Sequence, residues 1–275
     1  MISFDGTAVA VHPFPAAGRG PDIWLAHATG FCAGCWAPVA DGLAAVAGRI
    51  VGWDHRGHGG SGSNGFPVSW WEMAGDVIEV VSSFPPRHAP SIGVGHSMGG
   101  AATVMAALTR PRLFDAVVLV EPILLAPPYR RTPYPLAEVV RKRRRTFPMR
   151  EKARANFERK IPFSRWHPDA LSGYLSHGLV DTADGVELAC APEFEAEVYD
   201  TAAAHGARGL LGRLDLPVHV IVGDVSDTYD VAWAAEIVDA IPGASIQVVA
   251  GGTHFIPFER PEVVVEAVER IIPHG

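Results

Sequence analysis

The sequence predicts an α/β protein, a mostly parallel twisted sheet with helices on both faces and a mostly helical segment inserted into it. Three observations lead there. From residue 22 onward, short Val- and Ile-rich runs alternate with longer helical patterns. That alternation breaks over residues 123–213 and then resumes. A serine flanked by glycines stands where one strand pattern passes into a helix pattern. Continuous apolar strands separated by helices belong to parallel sheets buried on both faces.

In chain order, Asp22–Ala26 reads as a short buried strand, Trp36–Val46 as a helix and Arg49–Trp53 as the next strand. Val68–Val81 fits a helix, Ser91–Val94 a strand, Met98–Leu108 an Ala-rich helix and Ala116–Val120 a strand. The pattern returns with the strand Val218–Val222, a helix around Val231–Ala240, the strand Ser245–Val249 and a helix over Pro261–Ile272. Residues 3–12 suggest an antiparallel edge hairpin. Residues 1–122 and 214–275 therefore form the core. The stretch 123–213 opens on Pro122, Pro127, Pro128, Pro133 and Pro135 and carries helical patches at Leu136–Arg145 and Met149–Lys160. It is too long for a plain loop and is read as a lid.

Composition narrows the function. The chain is 48% apolar and 19% charged, ordinary for one globular core. Its formal net charge of -7 argues against nucleic acid as a partner. The first residues lack a basic start followed by an apolar run, and no stretch nears the roughly 18 apolar residues of a membrane span. A cytoplasmic protein without membrane contact is the expectation. Cys32, Cys35 and Cys190 are too few for a disulfide framework. Cys32 and Cys35 have C-x-x-C spacing, but no second pair or spaced histidines follow, so both read as unpaired small residues and no metal is expected. The basic run Arg141–Arg145 has two readings: an anion or nucleic-acid patch, or a solvated helix face partly neutralised by nearby acids. The acidic whole and the lack of interleaved aromatics favour the second.

The chemistry concentrates at Gly95-His96-Ser97-Met98-Gly99, a G-x-S-x-G motif between a strand and a helix. A serine in so sharp a turn needs minimal neighbours two residues before and after it. Its Oγ then projects from the carboxyl edge of the sheet, and the Met98 amide at the helix start points to where an oxyanion forms. Serine needs a base, and His254 in Gly252-Thr253-His254-Phe255 follows the last strand at the same edge. Its place after the serine and after the candidate acids agrees with the order this turn motif accompanies.

The strand ending in His27-Ala28-Thr29-Gly30-Phe31, with Trp36 nine positions after His27, resembles the α/β-hydrolase superfamily, specifically its lidded esterase-like members. So does Asp54-His55-Arg56-Gly57-His58-Gly59-Gly60-Ser61, which looks like that superfamily's Asp-x-Arg-Gly-x-Gly-x-Ser loop, a structural Asp–Arg turn. The resemblance covers the chain outside the lid. It implies a second oxyanion amide at Thr29, where Ala28 replaces the usual glycine. It also implies a triad acid on Gly223-Asp224-Val225-Ser226-Asp227, with Asp227 favoured and Asp224 a turn residue. Glu121, at the end of the preceding strand, is the alternative acid, and otherwise a pocket-wall or lid-anchoring residue.

These readings make the chain a serine hydrolase acting on a carboxylic ester, lactone or related acyl bond through an acyl-enzyme on Ser97, with no cofactor. A serine nucleophile argues against the epoxide hydrolases and dehalogenases of the same scaffold. Relatives with this triad also perform cofactor-free perhydrolysis or carbon–carbon bond hydrolysis, and some serve as slowly hydrolysing ligand receptors. The expected substrate is a small apolar acyl compound. Phe31, Trp36, Trp70, Trp71, His96, Glu121 and Phe255 are its candidate contacts in the core, and Tyr134, Phe157 and Trp166 those in the lid.

Overall fold

In the structure, a computed structural model that describes residues 1–272, the core strands form one seven-stranded sheet. They are β1 (Val11–Phe14), β2 (Asp22–Ala26), β3 (Arg49–Trp53), β4 (Ser91–His96), β5 (Ala116–Val120), β9 (Val218–Gly223) and β10 (Ser245–Val249). Their order is β1-β3-β2-β4-β5-β9-β10; β1 is antiparallel to β3 and every other pairing is parallel. The expected edge hairpin over residues 3–12 is instead the single strand β1 plus an isolated bridge from Ile2 to Ala8.

Strands β2 and β5 are buried at every position, as unbroken apolar runs demand when both sheet faces are covered. One face carries α2 (Trp70–Ser82), α3 (Met98–Thr109) and α8 (Val231–Asp239), packed with Trp24, Val51, Val117 and Val220. The other carries α1 (Ala37–Leu43) and α10 (Pro261–Ile271), packed with Ile23, Ile50, Ile92 and Val118. The helix expected from Trp36 starts with a 3-10 turn at Ala33–Trp36, and Pro38 sits in the first turn of α1, where a missing N–H costs nothing.

The chain runs from β2 outward to β3 and then crosses back to β4 on the other side of β2. The strand order therefore reverses between β2 and β4. Loops leaving the carboxyl ends of two such strands part to opposite faces and open a crevice, and residues 27–31 and Ser97 both lie on those loops.

Between β5 and β9 lies the insertion: α4 (Pro135–Arg141), β6 (Thr146–Phe147), α5 (Arg150–Phe157), α6 (Pro168–His177), β7 (Leu179–Thr182), β8 (Gly185–Leu188) and α7 (Pro192–Thr201). It is helical in the main but includes a small antiparallel sheet, β6-β8-β7, which the helical expectation did not contain. Its core joins Phe147, Phe157, Trp166 and Tyr174 to Cys32, Cys35 and Phe258 of the main domain. Helix α6 reaches the turn after β2 backbone to backbone: a Cβ on Gly34 would meet the Gly173 carbonyl, and one on Gly173 the Gly34 carbonyl. That close approach seats the insertion over the crevice. Cys32, Cys35 and Cys190 are buried free thiols. Among the described residues no helix is long and apolar enough to cross a membrane.

Candidate active site

Strand β4 ends at His96 and α3 begins at Met98, so Ser97 alone makes the turn, at φ 55° and ψ -115°. A non-glycine residue there carries on the order of 1–3 kcal/mol of strain and persists only when its surroundings hold it. They do. The Ser97 N–H donates to the Val120 carbonyl (2.9 Å), and the Ser97 carbonyl accepts from Ala101 (3.2 Å) and Ile123 (3.1 Å). The flanking glycines are steric necessities: a Cβ on Gly95 would lie 2.6 Å from the Gly99 carbonyl, and one on Gly99 would run into the Ala26 carbonyl.

His254 follows β10 and precedes α9 (Ile256–Glu259). Its Nδ1 meets Glu121 Oε2 at 2.6 Å, with the Glu121 side chain wholly buried. Glu121 sits one residue past β5 at φ 44°, a second non-glycine residue in the left-handed region. Its Oε1 accepts from the Gly223 amide (2.9 Å) and its Oε2 from Ser226 Oγ (2.7 Å), so two donors besides His254 hold the carboxylate. The favoured acid of the sequence reading, Asp227, is not at His254. It is exposed and bonded to Thr228 Oγ1 (3.2 Å). The loop after β9 explains the difference. Asp224 turns back to accept from Gly251 (2.6 Å), which directs Ser226 inward and Asp227 outward. A glutamate on the adjacent strand end has the reach to fill the histidine's Nδ1 side.

His96, expected at the substrate, is fully buried and bonds through Nε2 to the His254 carbonyl (2.8 Å). A carbonyl only accepts, so the His96 proton is on Nε2. Burial holds the ring's pKa well below its usual value, and it stays neutral. His96 thus braces the loop that carries His254.

The loop after β2 is held just as firmly. Gly30 donates its amide to His58 Nε2 (2.9 Å), and the neighbouring Thr29 lines the cavity. His27 donates from Nδ1 to the Ala28 carbonyl (2.8 Å) and accepts the His55 amide at Nε2 (2.9 Å). Beneath them, Asp54 accepts from Ala33 (2.8 Å) and Gly60 (2.8 Å), while Arg56 bonds Asp76, Asp5 and Glu72. The Asp–Arg turn is a brace, as its sequence suggests.

Ser97, His254, Thr29, Phe31 and Phe255 open into a cavity of about 720 Å³, whose lining also includes Tyr134 and Phe157 of the insertion. Trp70 also lines it. Five expected contacts do not, among them His96, which braces the His254 loop as described above. Trp36 is buried under the sheet with its ring against Phe258 (6.3 Å between centroids), because its 3-10 turn faces inward. Trp71 is exposed and donates to the His205 carbonyl (2.9 Å), one position off its helix's buried stripe. Trp166 is buried behind the wall against Phe258 and Phe31. Glu121 touches His254 and is no part of the cavity wall.

Two features of the site escaped sequence reasoning. Ser226, in the G-D-V-S-D segment whose aspartates were the expected acids, instead donates to the Glu121 carboxylate. The cavity also holds a partly buried ion pair, Arg143 to Glu195 Oε2 (2.5 Å), with Tyr174 at 3.2 Å. Nothing in the local sequence joins residues 143 and 195. Among the described residues no group of three His, Cys, Asp or Glu side chains is placed to hold a metal.

Comparison with known proteins agrees with this architecture. Residues 25–267 match the description of the alpha/beta hydrolase family. Among curated proteins, mouse (Mus musculus) monoglyceride lipase is 32% identical over 109 residues, which is 38% of this chain and 36% of that protein. The match thus spans little more than a third of that relative's length. The fold matches E-2-(acetamidomethylene)succinate hydrolase (TM-score 0.79, 20% identity, 98% of this chain and 97% of that one). It also matches the enol-lactonase from Burkholderia xenovorans LB400 (TM-score 0.73, 22% identity, 97% of each chain). With the family match running from β2 into α10, and the strand order and strained serine turn already in hand, this chain belongs to the α/β-hydrolase family.

Proposed function

We propose that the protein is a serine hydrolase that cleaves a carboxylic ester or lactone of an apolar acyl group through an acyl-enzyme on Ser97. The observation that carries this reading is the strained Ser97 turn sharing one largely apolar cavity with a histidine whose Nδ1 is bound to a buried carboxylate. In this reading His254 Nε2 takes the Ser97 proton as Oγ attacks the acyl carbon. Glu121 fixes the tautomer with the proton on Nδ1 and stabilises the imidazolium that forms. The amides of Met98 and Thr29 receive the oxyanion. Met98 is the first residue of α3, so its N–H has no partner within the helix. His254 then returns the proton to the departing alcohol, and water repeats the sequence on the acyl-enzyme. The insertion acts as a lid that excludes solvent and shapes the acyl pocket. The monoglyceride lipases matched over part of the chain are consistent with an apolar acyl substrate.

An alkyl fluorophosphonate should label Ser97 alone, located by peptide mapping, and a panel of chromogenic esters, lactones and thioesters should show turnover. Undiminished labelling of Ser97→Ala would sink the assignment.

A further inference from the structure

The basic run of the insertion divides into two sets. Arg141 pairs with Glu138 and Asp200, Arg143 with Glu195, and Arg145 with Glu187. Lys142, Arg144 and Lys160 form no ion pair among the described residues, and all three line one hollow of about 490 Å³. The acid in that hollow, Glu138, is engaged by Arg141. Arg143, Arg144 and Lys160 also line the cavity that holds Ser97, so the hollow adjoins the cavity and shares a wall with it. Helix-end electrostatics explain Lys142, which caps α4, but not three cations converging on one opening.

Arg144 is held in a receiving posture. Its Nε donates to the Thr146 carbonyl (2.8 Å), and its guanidinium lies over the Phe147 ring, 4.6 Å from the centroid. The two terminal nitrogens have no acceptor among the described residues, so a planar pair of donors is fixed with its outer edge free. That is the geometry that grips a carboxylate or phosphate in bidentate fashion. Of the two carboxylates that line the main cavity, Glu195 is bound to Arg143, and Asp227, whose partner is the neutral Thr228 hydroxyl, forms no ion pair with Arg144 or Lys160. On a molecule of net charge -7, three unneutralised cations at the entrance of an apolar cavity form a local exception.

Building on the hydrolase reading, we propose that the mouth formed by Lys142, Arg144 and Lys160 binds an anionic group at the far end of the substrate. The acyl bond would lie at Ser97, an apolar stretch would fill the cavity, and a terminal carboxylate or phosphate would dock on Arg144.

The test uses the full-length Ser97→Ala protein and intact ligands in matched pairs, with affinities read by calorimetry. Monomethyl against dimethyl suberate places the anion on the acyl side. 1-Octanoylglycerol 3-phosphate against 1-octanoylglycerol places it on the alcohol side. At low salt the anionic member of at least one pair should bind about tenfold tighter or better, and which pair does so identifies the anion's side. The ratio should shrink to about threefold or less in 0.5 M NaCl, and likewise in Arg144→Gln and Lys160→Gln. Both substitutions are at exposed positions, and circular dichroism checks their folding. Ratios near one in both pairs, ratios unmoved by the two substitutions, or no binding of any of the four ligands would overturn the proposal. Turnover of neutral esters by the unmutated protein is a separate readout. A flat ratio with normal turnover removes the anion site alone, and a preserved ratio without turnover removes the hydrolase reading alone.

Discussion

Glu121 and Asp227 are the two carboxylates on which the site turns at the scale of single residues. Both stand at strand ends beside His254, and their sequence context favoured Asp227. The structure gives Glu121 three donors, His254 Nδ1, Gly223 N–H and Ser226 Oγ, and leaves Asp227 in solvent. A buried acid that loses its charge no longer fixes the histidine tautomer, which in such triads has cost about 10⁴ in kcat with the fold intact. Glu121→Gln should therefore lose about three to four orders of magnitude in kcat on a chromogenic ester, and Asp227→Asn less than about fivefold. Circular dichroism on both variants guards against misfolding. The opposite ranking would return the acid's role to Asp227 and require the loop after β9 to rearrange in solution.

At the scale of elements, the insertion separates wall from support. Phe157 faces the cavity, whereas Trp166 lies behind it, buried among Phe31, Phe163 and Phe258. Phe157→Ala should cost about 3–5 kcal/mol as a core truncation and, by enlarging the pocket, should also shift the preferred acyl chain length, since a methylene-sized change is worth ~1–3 kcal/mol. Trp166→Ala should mainly lower stability, by about 3–5 kcal/mol, the usual cost of truncating a buried tryptophan. Kinetics across acyl chain lengths distinguish the two once urea unfolding has measured each stability loss, and equal effects of both variants on chain-length ranking would dissolve the distinction. The same contrast shows how far the sequence was legible. Strands β2, β3 and β5 have the bounds their apolar runs predict, because central strands covered on both faces need unbroken apolar runs, and β10 keeps its predicted bounds although this edge strand is largely exposed. Ser97 and His254 were legible because the turn motif and the strand edge determine their positions. The small sheet β6-β8-β7 was not, since β6 has two residues and β7 is mostly exposed. Glu121 against Asp227, and Trp36 against Phe31, depend on which way a loop turns after leaving its strand. Contacts distant in sequence decide that, such as Asp224 with Gly251 or Gly34 with Gly173.

Over the whole molecule, the buried histidines couple the scaffold beneath the site to pH. His55 is wholly buried, and neither ring nitrogen has a hydrogen-bond partner. Its ring stacks edge-on with His27 and Trp53 (4.8 and 5.7 Å between centroids). Burial, with His58 and Arg56 nearby, pushes its pKa down from 6.5 to about 3, and burial lowers that of His58 to about 4. A histidine with a depressed native pKa binds more protons when unfolded. The stability it permits is therefore complete above about pH 6.5 and declines as pH falls from there toward the native value. For His55 alone, between pH 8 and pH 5, that loss is about 2 kcal/mol, since each pH unit below the unfolded pKa costs ~1.4 kcal/mol. His55→Leu removes the titration while keeping a similar buried volume. Its stability relative to the unmutated protein should therefore improve by about 2 kcal/mol on going from pH 8 to pH 5, whatever constant penalty the substitution carries. Urea unfolding of both proteins at the two pH values measures this double difference, in which every carboxylate common to both cancels. A difference near zero would mean that His55 is protonated as readily in the folded protein as in the unfolded chain. The ring would then have to reach water or an acceptor in solution, and the brace beneath the Thr29 loop would be looser than its burial implies.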